Sequence, residues 1–424
     1  MKTRYALVFF LTAIMQVSIL SVAAPASGHV PGHYIVTLNP GVDPATVANQ
    51  MAVQHGLGLR HVYRHAVNGF AARVPEGRLN ALSKDPRVVA VTADEYVSID
   101  KKCATPPCKD KGGGGEEPPP PPPAQTTPTG ILRINADVSS ALSGNGSGSV
   151  DVDVAVIDTG IMPGHADLNV VGGINCSKGR RTRFNDGHGH GTHVAGTIGA
   201  LDNSQGVVGV APGARLWAVR VLDNNGSGFT SDIICGIDWV TGMAGTIEVA
   251  NMSLGGSGTD TGCSGHPQHQ AICNSVNAGV TYAVAAGNDF DDSANHTPAA
   301  YDEVITVSAL ADFDGASGGL GVPTCRVDED DTFANFSNYG ADVDIIAPGV
   351  CIESTWNDGG LNTISGTSMA SPHVAGAAAL YLANNPGVTP ADVKAALTGS
   401  GSNDWDSNQD PDGLKEPLLD VTAF

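Results

Sequence analysis

Residues 152–158 read VDVAVID: five apolar residues, one carboxylate inside the run and another closing it. A stretch this short and this apolar suits a strand covered on both faces. Five similar runs follow, ARLWAVRVL (214–222), EVANMSL (248–254), VTYAVAAG (280–287), VITVSAL (304–310) and VDIIAPG (343–349). Helical stretches lie between several of them, HVAGTIGAL (193–201) and SDIICGIDWVTGM (231–243) among them, and a long Ala- and Gly-rich helix, SMASPHVAGAAALYLA (368–383), comes near the end. Strands alternating with helices predict an α/β domain on a mostly parallel sheet, over residues 124–424.

Upstream, residues 27–100 predict a small α+β domain. HYIVTL (33–38), GFAARV (69–74) and VVAVTADEYVSI (88–99) read as strands, and ATVANQMAVQHG (45–56) and EGRLNALSKD (76–85) as helices. That β-α-β-α-β order suggests a ferredoxin-like split βαβ sheet with both helices on one face. Residues 101–123, Gly-rich and then Pro-rich, have no apolar period and read as a linker ending in a stiff polyproline spacer. Lys2 and Arg4, the apolar ALVFFLTAIM (6–15) and the small-residue SVAAPA (21–26) read as a signal peptide over 1–26, cut between Ala23 and Ala26. The chain is thus expected outside the cell, with no membrane attachment once the signal is removed.

The eight cysteines, all outside the signal, fit disulfides in such a protein. Proximity favours Cys103–Cys108, Cys263–Cys273 and Cys325–Cys351, which leaves Cys176 for Cys235. Charge is uneven. Residues 1–123 carry 12 Lys/Arg against 9 Asp/Glu, residues 124–424 carry 10 against 34. So acidic a surface repels nucleic acid and anionic membranes and tolerates cations.

NDGHGHGTHVAGTIGA (185–200) raises the question of chemistry, with His188, His190 and His193 within six positions. A zinc helix of the His-Glu-x-x-His kind needs an acidic residue that is missing between them. The other reading is a base serving a hydroxyl nucleophile, its tautomer fixed by a carboxylate. In an α/β domain those groups belong at strand ends and helix starts. Asp158 ends a strand, His190 opens a helix, and Ser368 stands at the start of the long helix with Pro372 expected in its first turn. Asn288, after VTYAVAAG, could offer its amide to an oxyanion.

VAVIDTGI, GHGTHVAGT, NMSLGG, AAGN and SGTSMASPHVAG, in that order, resemble the signature blocks of the subtilisin-like serine proteases, whose triad runs Asp, His, Ser. Residues 29–99 are similar to that family's inhibitory propeptide. The resemblance implies a three-layer subtilisin-like domain and a secreted, monomeric serine endopeptidase, auto-processed from a zymogen and acting on peptide or protein substrates. Asp158, His190 and Ser368 would be the triad and Asn288 the oxyanion donor, with His193 packed beside the helix and His188 solvated. Gly226, Ser227, Gly228 and Ser253, Leu254, Gly255, Gly256 would flank a substrate strand, and Ala285, Ala286, Gly287 would line a roomy apolar S1 pocket. The propeptide's final strand would fill the cleft, with first cleavage between Val97 and Lys111.

A structural Ca²⁺ is implied too, held by Gln125, Asp167, Leu201, Asn203, Gln205 and Val207, and a weaker one by Asp344 with the carbonyls of Asp302 and Val304. DWDSNQDPDG (404–413) is spaced like an EF-hand, but Gln409 replaces the required glycine and Lys415 the closing acid. Residues 311–331 read as a solvated insertion.

Overall fold

The computed structural model describes residues 28–99 and 124–424. The expected signal peptide, the linker and the Cys103–Cys108 pair lie outside them.

The first body contains β1 (His29–Leu38), α1 (Pro44–His55), β2 (Gly58–Tyr63), β3 (Gly69–Arg73), the single turn α2 (Leu79–Leu82) and β4 (Val88–Ser98). Its strands pair antiparallel in the order β2-β3-β1-β4. This completes the β-α-β-β-α-β ferredoxin-like plan. The strand missing from the sequence reading is β2. Its register shifts between Leu59 and His61, and its Arg60 and His61 break the apolar period. Their polarity is used elsewhere, as described below. The second predicted helix shrinks to one turn.

The larger body follows in the order α3 (Thr129–Arg133), β5 (Asp153–Asp158), β6 (Val170–Asn175), α4 (His190–Gly199), β7 (Arg215–Arg220), β8 (Ser227–Phe229), α5 (Thr230–Gly242), β9 (Val249–Met252), β10 (Gly256–Ser257), α6 (Pro267–Asn277), β11 (Thr281–Ala285), β12 (His296–Thr297), β13 (Ile305–Ala311), β14 (Thr332–Phe333), β15 (Ile345–Pro348), β16 (Ile352–Thr355), β17 (Leu361–Ile364), α7 (Thr367–Asn384) and α8 (Pro390–Ser400). The central sheet runs β14-β13-β11-β9-β5-β7-β6, with β15 also on β13. All of its pairs are parallel except β13–β14. All six predicted strands lie in it. β6 escaped notice because VVGGIN has glycines where a strand would have side chains. The Trp217 ring fills that space, and a Cβ on Gly172 would stand 2.6 Å from it.

α7 crosses one face of this sheet and is buried from Thr367 to Leu380. Apolar on every side, it has to be an interior helix. Its Gly376 leaves no room for a side chain, since a Cβ there would meet Val210 Cβ at 2.6 Å. α5 and α6 cover the opposite face with a second apolar cluster. Among the described residues three disulfides are formed, Cys176–Cys235, Cys263–Cys273 and Cys325–Cys351.

Residues 311–331 differ from the solvated loop expected. Asp312, Asp328, Asp330 and Asp331 are buried. The segment packs on residues 403–406, where Thr332 bridges Asp406. Arg133 ties the two together, donating from Nε to Asp331 at 2.7 Å and from Nη2 to the Asp404 carbonyl.

The small body sits on α5 and α6, and β4 runs on into the larger one. Tyr96, Val97 and Ser98 pair antiparallel with Phe229, Gly228 and Ser227, Ser98 also bridges Gly255, and Ile99 N–H donates to Gly226 O at 3.0 Å. The polar residues of β2 meet Asp232, in the first turn of α5. Arg60 Nε lies 2.8 Å and His61 Nε2 2.6 Å from its carboxylate, which is 1 % exposed. Asp238 accepts the backbone N–H groups of Arg64, His65 and Ala66 at 2.7–2.9 Å. Asp94 in turn accepts Ser231 N–H and Oγ–H at 2.9 and 2.6 Å.

Truncating one partner of a buried charge pair costs about 2 kcal/mol or more, a factor of ~30 in an equilibrium constant. In protein carrying Ser368→Ala, Asp232→Ala is therefore expected to speed amide hydrogen exchange of Tyr96–Ile99 about 30-fold. Unchanged exchange would mean that the α5 contacts do not hold this strand down.

Candidate active site

Asp158 ends β5 at the carboxyl edge of the sheet, fully buried. His190 is the first residue of α4. Its Nδ1–H reaches both Asp158 oxygens at 2.9 Å, and its ring is 7 % exposed overall. The turn before the helix is set by Asp186, which the sequence reading passed over. One oxygen accepts His188 N–H and Gly189 N–H at 2.8 Å, the other Thr192 N–H and Oγ–H at 2.9 and 2.7 Å. Thr159 Oγ–H bonds Asp186 and accepts Gly191 N–H, locking the Asp158 turn to this one. The acid of Asn-Asp-Gly two residues ahead of the first histidine was the available signal.

The three histidines do not assemble a metal site. His193 is fully buried, donates from Nε2 to the carbonyls of Ile352 and Asn362 at 2.9 and 3.1 Å, and is pushed down by burial to about 3. It is a neutral packing residue. His188 is half-buried, its ring 6.3 Å from that of His190.

Ser368 is the second residue of α7, 7 % exposed, with Oγ–H donating to Ser253 O at 3.3 Å. Pro372 proves to be the sixth residue of the helix rather than part of its first turn. Proline has no N–H for the carbonyl four residues earlier, which is that of Ser368. Ser253 Oγ–H fills the gap at 2.8 Å. Ser253 was expected along the substrate edge. It is fully buried instead and holds the Ser368 backbone.

Asn288 Oδ1 accepts Thr367 N–H and Oγ–H at 2.8 and 3.0 Å, which makes its NH₂ the opposite end of the amide. Gly366 O takes the N–H groups of Met369 and Ala370. Of the first four N–H groups in α7, that of Ser368 alone has no acceptor among the described residues. Ser368 and Asn288 thus share one cleft, lined by Ser227, Leu254, Gly255, Gly256, Ala285, Ala286 and Gly287 and by Tyr96, Val97 and Ser98 of β4. Gly226 and Gly228 meet β4 through backbone. Asp289, His296 and Thr297 add polar groups to the wall.

The predicted calcium residues are also brought together. Ala124 bridges Gln205 and Thr126 bridges Val207, so Gln125 lies against the 201–207 loop. Leu201 N–H donates to Asp167 O at 3.0 Å, and Asn203 Nδ2 and Val207 N–H donate to the Asp167 carboxylate at 2.8 and 3.0 Å. Burial pushes Asp167 up to about 6 despite these donors. Gly206 leaves its Cβ position open 2.2 Å from Asp167 Oδ2. One buried carboxylate among amides and carbonyls fits a hard cation. The Asn203 amide oxygen accepts Gln205 N–H at 2.7 Å, which occupies one of its two lone pairs.

The weaker site is already filled by the chain. Lys394 Nζ lies 2.8 Å from Asp344 Oδ1, 3.1 Å from Asp302 O and 2.7 Å from Val304 O, the three ligands proposed for the ion. An ammonium on α8 stands in for a metal, which the sequence reading could not foresee from residues 302–344.

Similarity to known proteins agrees with this arrangement. The subtilase family (peptidase S8) matches residues 149–412, and peptidase inhibitor I9 matches residues 33–100. Subtilisin NAT of Bacillus subtilis subsp. natto is 36% identical over 408 residues, 95% of this chain and 94% of its own. The extracellular serine proteinase of a Thermus species is 37% identical over 90% of this chain and 87% of its own. The crystal structure of a cold adapted subtilisin-like serine proteinase superposes with a TM-score of 0.55 at 36% identity, over 68% of this chain and 98% of the other.

Replacing Lys394 by alanine leaves Asp344, largely buried, without its cation and frees both carbonyls. A loss of about 2 kcal/mol is expected in chelator. Millimolar Ca²⁺ should restore part of it by taking the ammonium's place, read as a rise in Tm that wild type does not show to the same extent. An equal Ca²⁺ response in both proteins would mean that the ammonium does not mimic an ion.

Proposed function

The chain belongs to the subtilase family of serine endopeptidases, and we propose that its chemistry runs through Ser368, His190 and Asp158. Ser368 Oγ attacks a peptide carbonyl while His190 Nε2 takes its proton. The leaving amine receives that proton, and water then hydrolyses the acyl-enzyme by the same route reversed. Asp158, bonded to Nδ1–H, holds His190 in the tautomer whose Nε2 is the basic nitrogen. The Asn288 NH₂ and the Ser368 N–H bind the oxyanion.

The observation that carries this reading is β4. An extended segment of the chain lies between β8 and Gly255, hydrogen-bonded by backbone and ending beside Ser368, as a peptide substrate would. The segment belongs to the inhibitor I9 domain, so residues 27–100 are a propeptide that blocks the cleft until the chain is cut. The first cut falls between Val97 and Lys111, after a signal over 1–26 has directed secretion, and residues 101–123 remain as a linker to be trimmed from the domain at 124–424. Ala285, Ala286, Gly287 and Leu254 favour apolar residues before the scissile bond, within a broad specificity. A Ca²⁺ held by Asp167, Gln125, Asn203 and the carbonyls of Leu201, Gln205 and Val207 would fasten residues 124–126 to the loop at 201–207, a structural role.

The test is intact mass and N-terminal sequencing of wild type beside Ser368→Ala. Wild type is expected to shed its propeptide while the variant stays joined, and identical cutting of both would remove Ser368 from processing. Asn288→Leu is expected to lower kcat by about 10²–10³ with KM little changed. An unaltered kcat would put the oxyanion elsewhere.

Asp167 gives a pH signature. Its folded value, about 6, lies above that of an unfolded aspartate, so the folded chain binds more protons between about pH 4 and 6. Its contribution to stability therefore falls as pH rises through that window and stays low above it. Calcium, which binds the ionised form, reverses the penalty. In chelator above pH 6, Asp167→Asn is expected to melt no lower than wild type, and in millimolar Ca²⁺ wild type is expected to melt higher. The same order of melting in both buffers would remove Asp167 from the site.

A further inference from the structure

Two groups of potential ligands stand close enough to share a metal ion among the described residues. Cys263, His269, Cys273 and Glu303 form the first, but its two sulfurs are joined in a disulfide and offer no thiolate. The second is Asp312, Asp314 and Asp330, where one oxygen from each residue lies within 4.8 Å of the others. It sits in the 311–331 insertion, far in sequence from the calcium residues discussed above.

Several observations show that this is more than a cluster of surface acids. The Asp312 side chain has no exposed surface, and its Oδ2 has no hydrogen-bond donor. The nearest cation, Arg133 Nε, is 3.5 Å away and committed to Asp331 at 2.7 Å, while the other arm of that guanidinium holds the Asp404 carbonyl. One positive charge is thus shared between the carboxylates of Asp312 and Asp331, with those of Asp314 and Asp330 beside Asp312. Burial, reinforced by Asp330 and Asp331, pushes Asp312 up to about 7. The backbone is arranged to keep the acids in place. Phe313 N–H and Gly321 N–H each donate to Asp330 at 2.7 Å, and a Cβ on Gly321 would stand 2.6 Å from that carboxylate. Gly315 N–H donates to Asp312 at 2.9 Å.

We propose that Asp312, Asp314 and Asp330 bind a hard divalent cation, Ca²⁺ by the all-oxygen character of the donors, at a site separate from that of Asp167. The ion supplies the charge that Arg133 cannot, and it joins the two ends of the insertion where Arg133 of α3 ties Asp331 to the Asp404 carbonyl. The insertion is then a cation-dependent clamp on the carboxyl-terminal part of the domain rather than a solvated loop.

The experiment uses the full chain carrying Ser368→Ala, so that self-digestion cannot interfere. After chelation, bound Ca²⁺ is counted by equilibrium dialysis with atomic absorption, and Tb³⁺ binding is followed by luminescence excited through tryptophan. Trp405 borders the same cavity as Asp330 and Asp331. Asp314 is exposed and its Oδ1 caps one N–H, that of Ala316, so Asp314→Asn spares the fold. This variant is expected to bind one Ca²⁺ fewer, or to bind it at least ~10-fold more weakly, with a matching fall in sensitised emission. Asp312→Asn is expected to lose the same equivalent while melting no lower than its parent in chelator, because a buried charge has been removed. Asp167→Asn is expected to lose a different equivalent and keep the Trp405 signal, so failure of one site is separable from failure of the other. Unchanged stoichiometry and affinity in Asp314→Asn would overturn the proposal.

Discussion

Burial of α7 is the constraint on which the site depends. A helix with no polar face must lie inside the domain, and it can approach the sheet and α4 only because its packing positions are alanine and glycine. That placement puts its amino end at the carboxyl edge of β9 and β11, where the turns after the strands deliver Ser253 and Asn288. The helix's own irregularity completes the arrangement. Pro372 releases the Ser368 carbonyl, Ser253 Oγ–H takes it, and Asn251 Nδ2–H bonds Ser253 Oγ at 2.9 Å. Ser371 Oγ–H in turn donates to Asn251 at 2.8 Å, so the start of the helix and the end of β9 are knitted into one rigid unit. A break in helix regularity costs energy anywhere, but here its carbonyl has a designated partner.

The six apolar strands of the larger body were legible as short unbroken apolar runs, and α1, α4, α5 and α7 as longer stretches rich in apolar and small residues. β2 and β6 were not, for opposite reasons. β2 is too polar for a strand read alone, because Arg60 and His61 answer to Asp232, which lies 171 or 172 residues further on. β6 lacks side chains where Trp217 covers it. The residues Asp158, His190, Ser368 and Asn288 could be picked out because each sits beside glycines or at an element boundary in its own short block. Asp186 had a local signal that was passed over, whereas Thr159 and the inward turn of Ser253 had none, since their importance lies in hydrogen bonds across the fold. Lys394 illustrates the limit. Residues 302, 304 and 344 form a ligand set, and only the packing of α8 shows that the ligand is a side chain of the same protein.

The contact between the two bodies is built on carboxylates of unequal kind. Asp238 accepts backbone amides alone, which any sequence could supply at β2–β3, while Asp232 demands the Arg60 guanidinium and the His61 ring specifically. The larger body is acidic, 34 Asp/Glu against 10 Lys/Arg, but residues 28–99 carry 6 Lys/Arg against 5 Asp/Glu, so little general attraction is available to the association. The particular charge pairs set its register. That register matters because a shift of one residue along β8 would turn every side chain of β4 to the other face.

The brevity of β8 has a further consequence. Once β4 departs, β8 and the segment at Gly255–Ser257 are left as a bare edge, the kind of surface that invites another chain to add itself and begin aggregation. Here the edge is three residues long and contains Gly228, and the turn before it bends at Gly226, whose φ is +70°. So short and bent an edge gives too little ladder to template a second copy of the domain. Such an edge offers an extended segment a few backbone partners, yet it is too short to seed a sheet between molecules.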